Sequence, residues 1–295
     1  MAYKLKDIER MTGLRSGTIR MWEKRYGLLQ PVRSETNIRA YDKEEVKKLL
    51  LVEALKRCGY RISNLAKCTP QELTALAEKE LLAESEEGAV GVWVQRLLSA
   101  ALDFDELAFQ QWLNRAVFHL GHLQTYRRVL VPLLQRAGLL WNVGKAESLH
   151  EHFLSNLIRG FFFSAVERLP LPNRSEAPFL VFLPEGEFHE IPLLFAHYGL
   201  LAQGRRSVYL GQNFETDLLS HLQRTFRPRA IVTFYLMDRG VESFVNYLDT
   251  LRSELPGVEL FVGAPERVAG KLDRPPEGVR LFTEPAAILE AFSEQ

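Results

Sequence analysis

Two short patterns in this 295-residue chain carry side chains able to do chemistry on a ligand. The first is Glu187-Phe188-His189. An imidazole can ligate a metal through one ring nitrogen, while a carboxylate two residues earlier accepts a hydrogen bond from the other and fixes the tautomer. The second is Trp141, followed after nine residues by Glu151-His152. An indole, a carboxylate and an imidazole converging at one end of a helical bundle could cover a flat or sugar-bearing ligand. Each pattern has a plain alternative: a solvated loop histidine for the first, and a buried tryptophan beside a solvated Glu-His pair for the second.

The elements around them decide what the patterns can do. The apolar run Phe179–Leu183 predicts a buried parallel strand, and apolar residues at helical spacing from Leu193 to Gln203 predict a helix after it. His189 is thus expected in a strand-to-helix loop, at the carboxyl edge of a sheet, where open α/β folds bind ligands. Further strand-like runs at Ser207–Leu210, Ala230–Leu236, Val258–Val262 and Val279–Phe282 alternate with helical stretches at 190–203, 215–226 and 241–255, and a last helix spans 285–292. Regular alternation of this kind predicts a parallel sheet covered on both faces. No Gly-x-Gly-x-x-Gly follows the first strand, which argues against a dinucleotide-binding domain. Upstream, four amphipathic segments at 90–102, 104–119, 123–137 and 146–166 predict a helical, four-helix bundle. Trp141 is expected just after Gly138 in an inter-helix loop, and Glu151 and His152 early in the last of these helices.

Composition is that of an ordinary globular protein, 46% apolar and 25% charged. No apolar run approaches the ~20 residues that span a bilayer, and the first residues lack a hydrophobic signal core, so a cytoplasmic protein with no membrane partner is expected. Cys58 and Cys68 fit a reducing compartment and are too few for a structural zinc site. The zero net charge hides an asymmetry. Residues 1–68 carry 16 lysines and arginines against 8 acidic residues, and the remainder carries 21 against 29. A basic head on an acidic body points to a polyanion at the head.

Within that head, Leu5, Ile8 and Met11 share a helix face, Thr12-Gly13 breaks it, and Ser16-Gly17-Thr18 is placed to cap a second helix through Ile19, Trp22 and Tyr26. Two short helices joined by a Gly-containing turn make a helix-turn-helix. Arg15, Arg20, Lys24 and Arg25 lie on the second helix as on a recognition helix in a major groove. A turn carrying Arg33 and Arg39, then Tyr41, suggests a wing against the phosphate backbone. Trp22 alternates with the basic face and is expected in the core.

The sequence Thr18-Ile19-Arg20-Met21-Trp22-Glu23-Lys24-Arg25-Tyr26-Gly27-Leu28, with Thr12-Gly13, Pro31-x-Arg33-Ser34 and Arg39-x-Tyr41, resembles the amino-terminal motif of the MerR transcription regulators. The resemblance implies a winged helix-turn-helix that binds double-stranded operator DNA as a homo-oligomer. It makes Arg20, Arg25, Tyr26, Arg33, Arg39 and Tyr41 the expected DNA contacts, beside Arg15 and Lys24 on the basic face. Bundle, Glu-x-His loop and flavodoxin-like sheet resemble the cobalamin-binding module shared with methionine synthase, and the whole chain resembles the CarH-type light-dependent repressors. Three domains are therefore expected: the DNA-binding head at 1–75, a helical cap at 76–172, and a cobalamin-binding-like α/β domain at 177–295. By that resemblance adenosylcobalamin is the cofactor, its adenosyl group capped by Trp141, Glu151 and His152. His189 ligates cobalt, supported by Glu187.

The resemblance is incomplete. The family's Asp-x-His-x-x-Gly, Ser-x-Leu and Gly-Gly fall here on Glu187-x-His189 with Pro192, on Phe234-Tyr235-Leu236, and on Gly263-Ala264. In the family those small residues line a slot for the cofactor's nucleotide tail. Phe234 overfills such a slot, and Pro192 and Ala264 depart from it as well. Asn142 stands where some light sensors have a histidine, and an amide is a poor cobalt ligand. Two readings stay open: a regulator sensing adenosylcobalamin and light through a change of oligomeric state, or one acting as apoprotein, through another ligand or through a protein partner. An enzyme is not expected, because no segment supplies a substrate domain.

Overall fold

Ile8, Ile19, Trp22 and Tyr41 are buried in the amino-terminal head, and the elements that carry them form a winged helix-turn-helix. The computed structural model describes residues 3–293 apart from 13, 34–38, 58, 83–85, 143–147, 238 and 273. The chain divides into two compact units, Met1–Leu157 and Ile158–Gln295. In the first unit β1 (Tyr3–Lys4), β2 (Val32–Arg33) and β3 (Arg39–Tyr41) form a small antiparallel sheet in the order β1-β3-β2. Helices α1 (Leu5–Thr12) and α2 (Ser16–Tyr26) pack beside it. The α2 cap differs from expectation: the cap position is Arg15, and Ser16 lies inside the helix, its N–H donating to Glu9 Oε1 at 3.0 Å. At the other end Gly27 takes the left-handed conformation (φ 61°) and its N–H closes on Glu23 O. That turn returns Leu28 and Leu29 to the core.

Helix α3 (Lys43–Arg57) is followed by α4 (Ile62–Leu65), α5 (Pro70–Leu82), α6 (Glu86–Leu102), α7 (Glu106–Thr125), a π-turn at Tyr126–Leu130, α8 (Val131–Asn142) and α9 (Ser148–Glu167). The acidic stretch 78–87 is, for its described part, the end of α5 and the start of α6. Helix α3 packs against both α5 and α6. Lys43 and Lys47 fasten it to the end of α6, Lys43 donating to Leu102 O and both pairing with Asp103.

In the second unit, β4 (Phe179–Pro184), β5 (Ser207–Phe214), β6 (Ala230–Phe234), β7 (Glu259–Gly263) and β8 (Val279–Phe282) form one parallel sheet in the order β5-β4-β6-β7-β8. Counted along the chain this is the 2-1-3-4-5 order of flavodoxin-like folds. Helices α10 (Ile191–Ala202), α11 (Leu219–Phe226), α12 (Val241–Glu254), α13 (Glu266–Ala269) and α14 (Pro285–Ser293) cover it. Strand alternation assigns the two faces. Ile231, Tyr235, Val262 and Ala264 join the core under α11, α12 and α13. The opposite face carries Phe179 and Phe261, both against Phe292 of α14 at 5.3 and 4.7 Å between ring centroids. On that face α10 and α14 press together so closely that a Cβ on Gly199 would overlap Leu289. The order reverses between β4 and β6, so the loops after those strands border the crevice where such folds take ligands.

His197 of α10 lies under this sheet, its Nδ1 2.7 Å from Ser207 Oγ. Burial pushes its pKa down to about 4. The folded state therefore holds fewer protons than the unfolded chain between pH 6.5 and 4, and stability falls as pH drops through that window. Thermal melts at pH 7.5 and 5 are expected to show this loss, and His197→Gln to shrink it.

Candidate functional site

Helix α2 presents Arg15 at its cap and Arg20, Lys24 and Arg25 along it, all exposed, while Ile19 and Trp22 face the core. Tyr26 is half-buried with the Arg25 guanidinium 5.6 Å from its ring centroid. An exposed cationic helix backed by an apolar face is the arrangement that enters a major groove. Arg33 lies on β2, and its side chain is outside the described residues. Two of the expected wing contacts have structural work. Tyr41 is fully buried and its hydroxyl donates to Glu23 Oε2 at 3.1 Å, so it is a core residue and not an exposed contact. Burial, and then Glu23, raise its phenol pKa. Arg39 donates Nε to both oxygens of the same carboxylate, at 3.1 and 3.0 Å. Glu23 thereby ties β3 to α2.

At the crevice of the second unit, Glu187 is only 2% exposed. Its Oε1 accepts from Phe188 N, His189 N and His189 Nδ1, at 2.9, 3.1 and 2.5 Å. Its Oε2 accepts from Leu236 N and Met237 N, at 2.8 and 2.7 Å. Burial alone would raise the carboxyl pKa, but the bonds from His189, Met237 and Leu236 outweigh it and hold the value down to about 2. The group is thus a fixed anion that binds the β4–α10 loop to the β6–α12 loop and sets the imidazole's orientation. The His189 side chain is 57% exposed, with exposed Phe188 and Met237 beside it in the chain and across the crevice. Pro192 does not disturb this loop. It falls in the first turn of α10, where its missing N–H has no helical partner to lose.

The residues expected to line a slot divide between the two faces. Phe234, fully buried at the end of β6, pairs in register with Gly263. A Cβ on Gly263 would overlap the Phe234 ring, so the ring occupies the space above that glycine. Ala264 points to the other face, into the core under α12 and α13, and is no part of a slot on the α10 side. Leu236 contributes its backbone: the N–H to Glu187, and the carbonyl to Arg267 Nη2 at 3.4 Å.

In the first unit, Trp141 and Asn142 end α8, which runs through Gly138 without a break. Trp141 is therefore helical and not in a loop, and its side chain lies outside the described residues. Glu151 and His152 are exposed in the first turns of α9.

Three supporting residues were not foreseen. Asn213 (φ 56°) accepts Gly186 N–H on its side chain at 2.7 Å and donates its own N–H to Glu187 O at 3.2 Å. Glu190, 6% exposed, receives the Tyr209 hydroxyl and pairs with Arg159 of α9, each at 2.5 Å. Arg239 donates to Glu185 O at 3.0 Å. A carboxylate directly after the histidine was the one signal in the sequence that pointed to this network.

Fold and site together define a DNA-binding regulator of the MerR type joined to a B12-type module. Residues 3–72 match the MerR HTH family regulatory protein family, and residues 93–162, on α6 to α9, match the B12 binding domain family. The chain is 31% identical over 265 residues to the HTH-type transcriptional repressor CarH of Myxococcus xanthus, covering 88% of each chain. It is 31% identical over 261 residues to the repressor CarA of the same organism, covering 87% of this chain and 84% of CarA. The chain belongs to this family of HTH-type transcriptional repressors, whose relatives are regulators and not enzymes. In fold it is similar to the monomethylamine corrinoid protein of Methanosarcina barkeri, with a TM-score of 0.52, 14% identity, and coverage of 67% of this chain and 95% of that one.

Removing the carboxylate leaves Leu236 and Met237 N–H groups without their acceptor. Glu187→Ala is expected to destabilise the second unit by about 2–4 kcal/mol in urea unfolding. Glu187→Gln, which keeps one acceptor oxygen, is expected to lose less.

Proposed function

We propose that the chain represses transcription by binding operator DNA as a homo-oligomer through α2 and the wing, and that its carboxyl-terminal module senses a corrinoid. The head corresponds to residues 1–75, the helical cap to 76–172, and the sensor sheet to 177–295. An adenosylated corrinoid is the ligand we assign, with adenosylcobalamin as the form the family resemblance implies and light as the second input. Occupancy then changes oligomeric state and operator affinity, which requires that the ligand bind the two states unequally.

The observation that carries the sensing role is the Glu187–His189 pair. A buried, ionised carboxylate on Nδ1 directs the ring's second nitrogen, Nε2, toward metal ligation. An exposed imidazole held this way at a switch-point crevice fits an axial cobalt ligand. When bound, the corrinoid would supply a cobalt for His189 to ligate and, in its adenosyl form, a light-sensitive cobalt–carbon bond. Trp141, Glu151 and His152 are assigned to the adenosyl side by the family resemblance, and Asn142 offers no imidazole there.

A second reading is favoured by one observation, the Phe234 ring seated on Gly263. In it the module works as apoprotein, with another ligand, or through a protein partner.

A dark titration with adenosylcobalamin followed by absorbance separates the two. A saturable spectral change lost in His189→Ala, with a shift in sedimentation and operator affinity that green light reverses, is the expected result. No His189-dependent change at any concentration, with adenosylcobalamin or with its tail-less analogue, leaves the second reading. On duplexes selected from a random pool by the wild type, Arg20→Ala and Arg25→Ala are each expected to weaken binding by about 1–3 kcal/mol. Unchanged binding by both removes α2 from the interface.

A further inference from the structure

We infer that this module selects a corrinoid without a nucleotide tail, or one whose tail stays in solvent, because the space beneath His189 that a displaced tail needs is filled by the protein's own side chains. The inference rests on the corrinoid reading above.

In a corrinoid with a tail, the tail's base holds the lower cobalt position. For His189 to take that position, the cobalt–base bond breaks and a cobalt–Nε2 bond forms with the imidazole lone pair. The freed tail then hangs on the His189 side of the ring, toward the protein. Directly under the His189 loop lie the start of α10 and the carboxyl ends of β6 and β7. Any tail entering there passes between the sheet and the α10–α14 layer.

That layer is shut at two separate points. At its mouth the Phe234 ring covers Gly263 with no room for even one added carbon. Deeper in, Leu289 of α14 lies against Gly199 of α10 just as closely. Phe179, Phe261 and Phe292 fill the sheet face between the helices with edge-to-face rings. Interiors packed to this density do not admit a bulky group without displacing side chains. The edge above is intact: Glu187 still sets His189, and Phe188 and Met237 are exposed there to meet a flat ring. The ring's site and the tail's site have therefore parted. A tailed corrinoid gives up its own cobalt–base bond here with no burial of the tail to offset the loss. A tail-less corrinoid gives up only the weakly held water at the same cobalt position.

The test compares adenosylcobinamide with adenosylcobalamin in dark equilibrium titrations of the full-length protein, read by absorbance. Wild type is expected to bind adenosylcobinamide more tightly by about tenfold or more, with a spectral shift lost in His189→Ala. Phe234→Ser is expected to narrow or reverse that preference. Leu289→Ala combined with Phe234→Ser is expected to move it further, with circular dichroism confirming the fold of each variant. Wild type binding adenosylcobalamin about tenfold more tightly than adenosylcobinamide overturns the inference and leaves the corrinoid reading standing. Binding of neither overturns both. The comparison in wild type decides the matter even where a variant fails to fold.

Discussion

The second unit depends on one buried anion. Glu187 sits where the sheet order reverses, and its two oxygens gather five donors from two loops that share no sequence proximity. The loop after β4 and the loop after β6 belong to neighbouring strands whose following helices pack on opposite faces. Without a bridge they are free to splay, because each strand end leaves backbone N–H groups pointing into the crevice. The carboxylate satisfies those groups, and the same act orients His189. Stability and the aim of the imidazole are therefore one arrangement: His189 is oriented by groups that also hold the sheet's edge together.

The head uses a similar device at smaller scale. Glu23 lies on α2, between the exposed basic residues and the buried Trp22. By accepting from Arg39 and Tyr41 it fixes the wing against the recognition helix. The pair Glu23–Arg39 is partly exposed, so its own contribution to stability is small. Its effect is geometric: it sets the angle of the wing to α2.

Much of this was legible in the sequence, and the failures have identifiable causes. Alternation of strand-like and helical runs gave the parallel sheet because its central strands β4, β6 and β7 are buried on both faces and read as apolar runs, as Phe179–Leu183 does. The Glu-x-His spacing predicted the hydrogen bond that the structure contains. Tyr41 misled because a motif position names a residue type and not its direction. On β3 it shares a face with Arg39, and that face meets Glu23. Gly138 misled because a glycine inside a helical pattern weakens a helix without ending it, and the apolar residues Leu139 and Leu140 carry α8 on to Asn142. Ala264 was grouped with Gly263 as a neighbour in the chain, although period-2 alternation puts adjacent strand residues on opposite faces. The contact of Gly199 with Leu289 joins helices at opposite ends of the domain, and no local pattern reports it.

The closed layer under α10 follows from choices that stabilise the domain. A phenylalanine at 234 in place of a small residue adds buried apolar area next to a glycine that leaves room for one ring and nothing more. Leu289 against Gly199 does the same between the two helices. A groove kept open for a ligand forgoes such contacts, since a cavity lined by apolar groups loses dispersion partners and is destabilising when empty. The carboxyl edge loses nothing by staying accessible, because its polar groups are satisfied within the loops themselves. The sheet can thus fill its interior and keep His189 presented. In the proposed reading, recognition is accordingly a property of the edge, where Glu187 has fixed the geometry, and not of the depth beneath it.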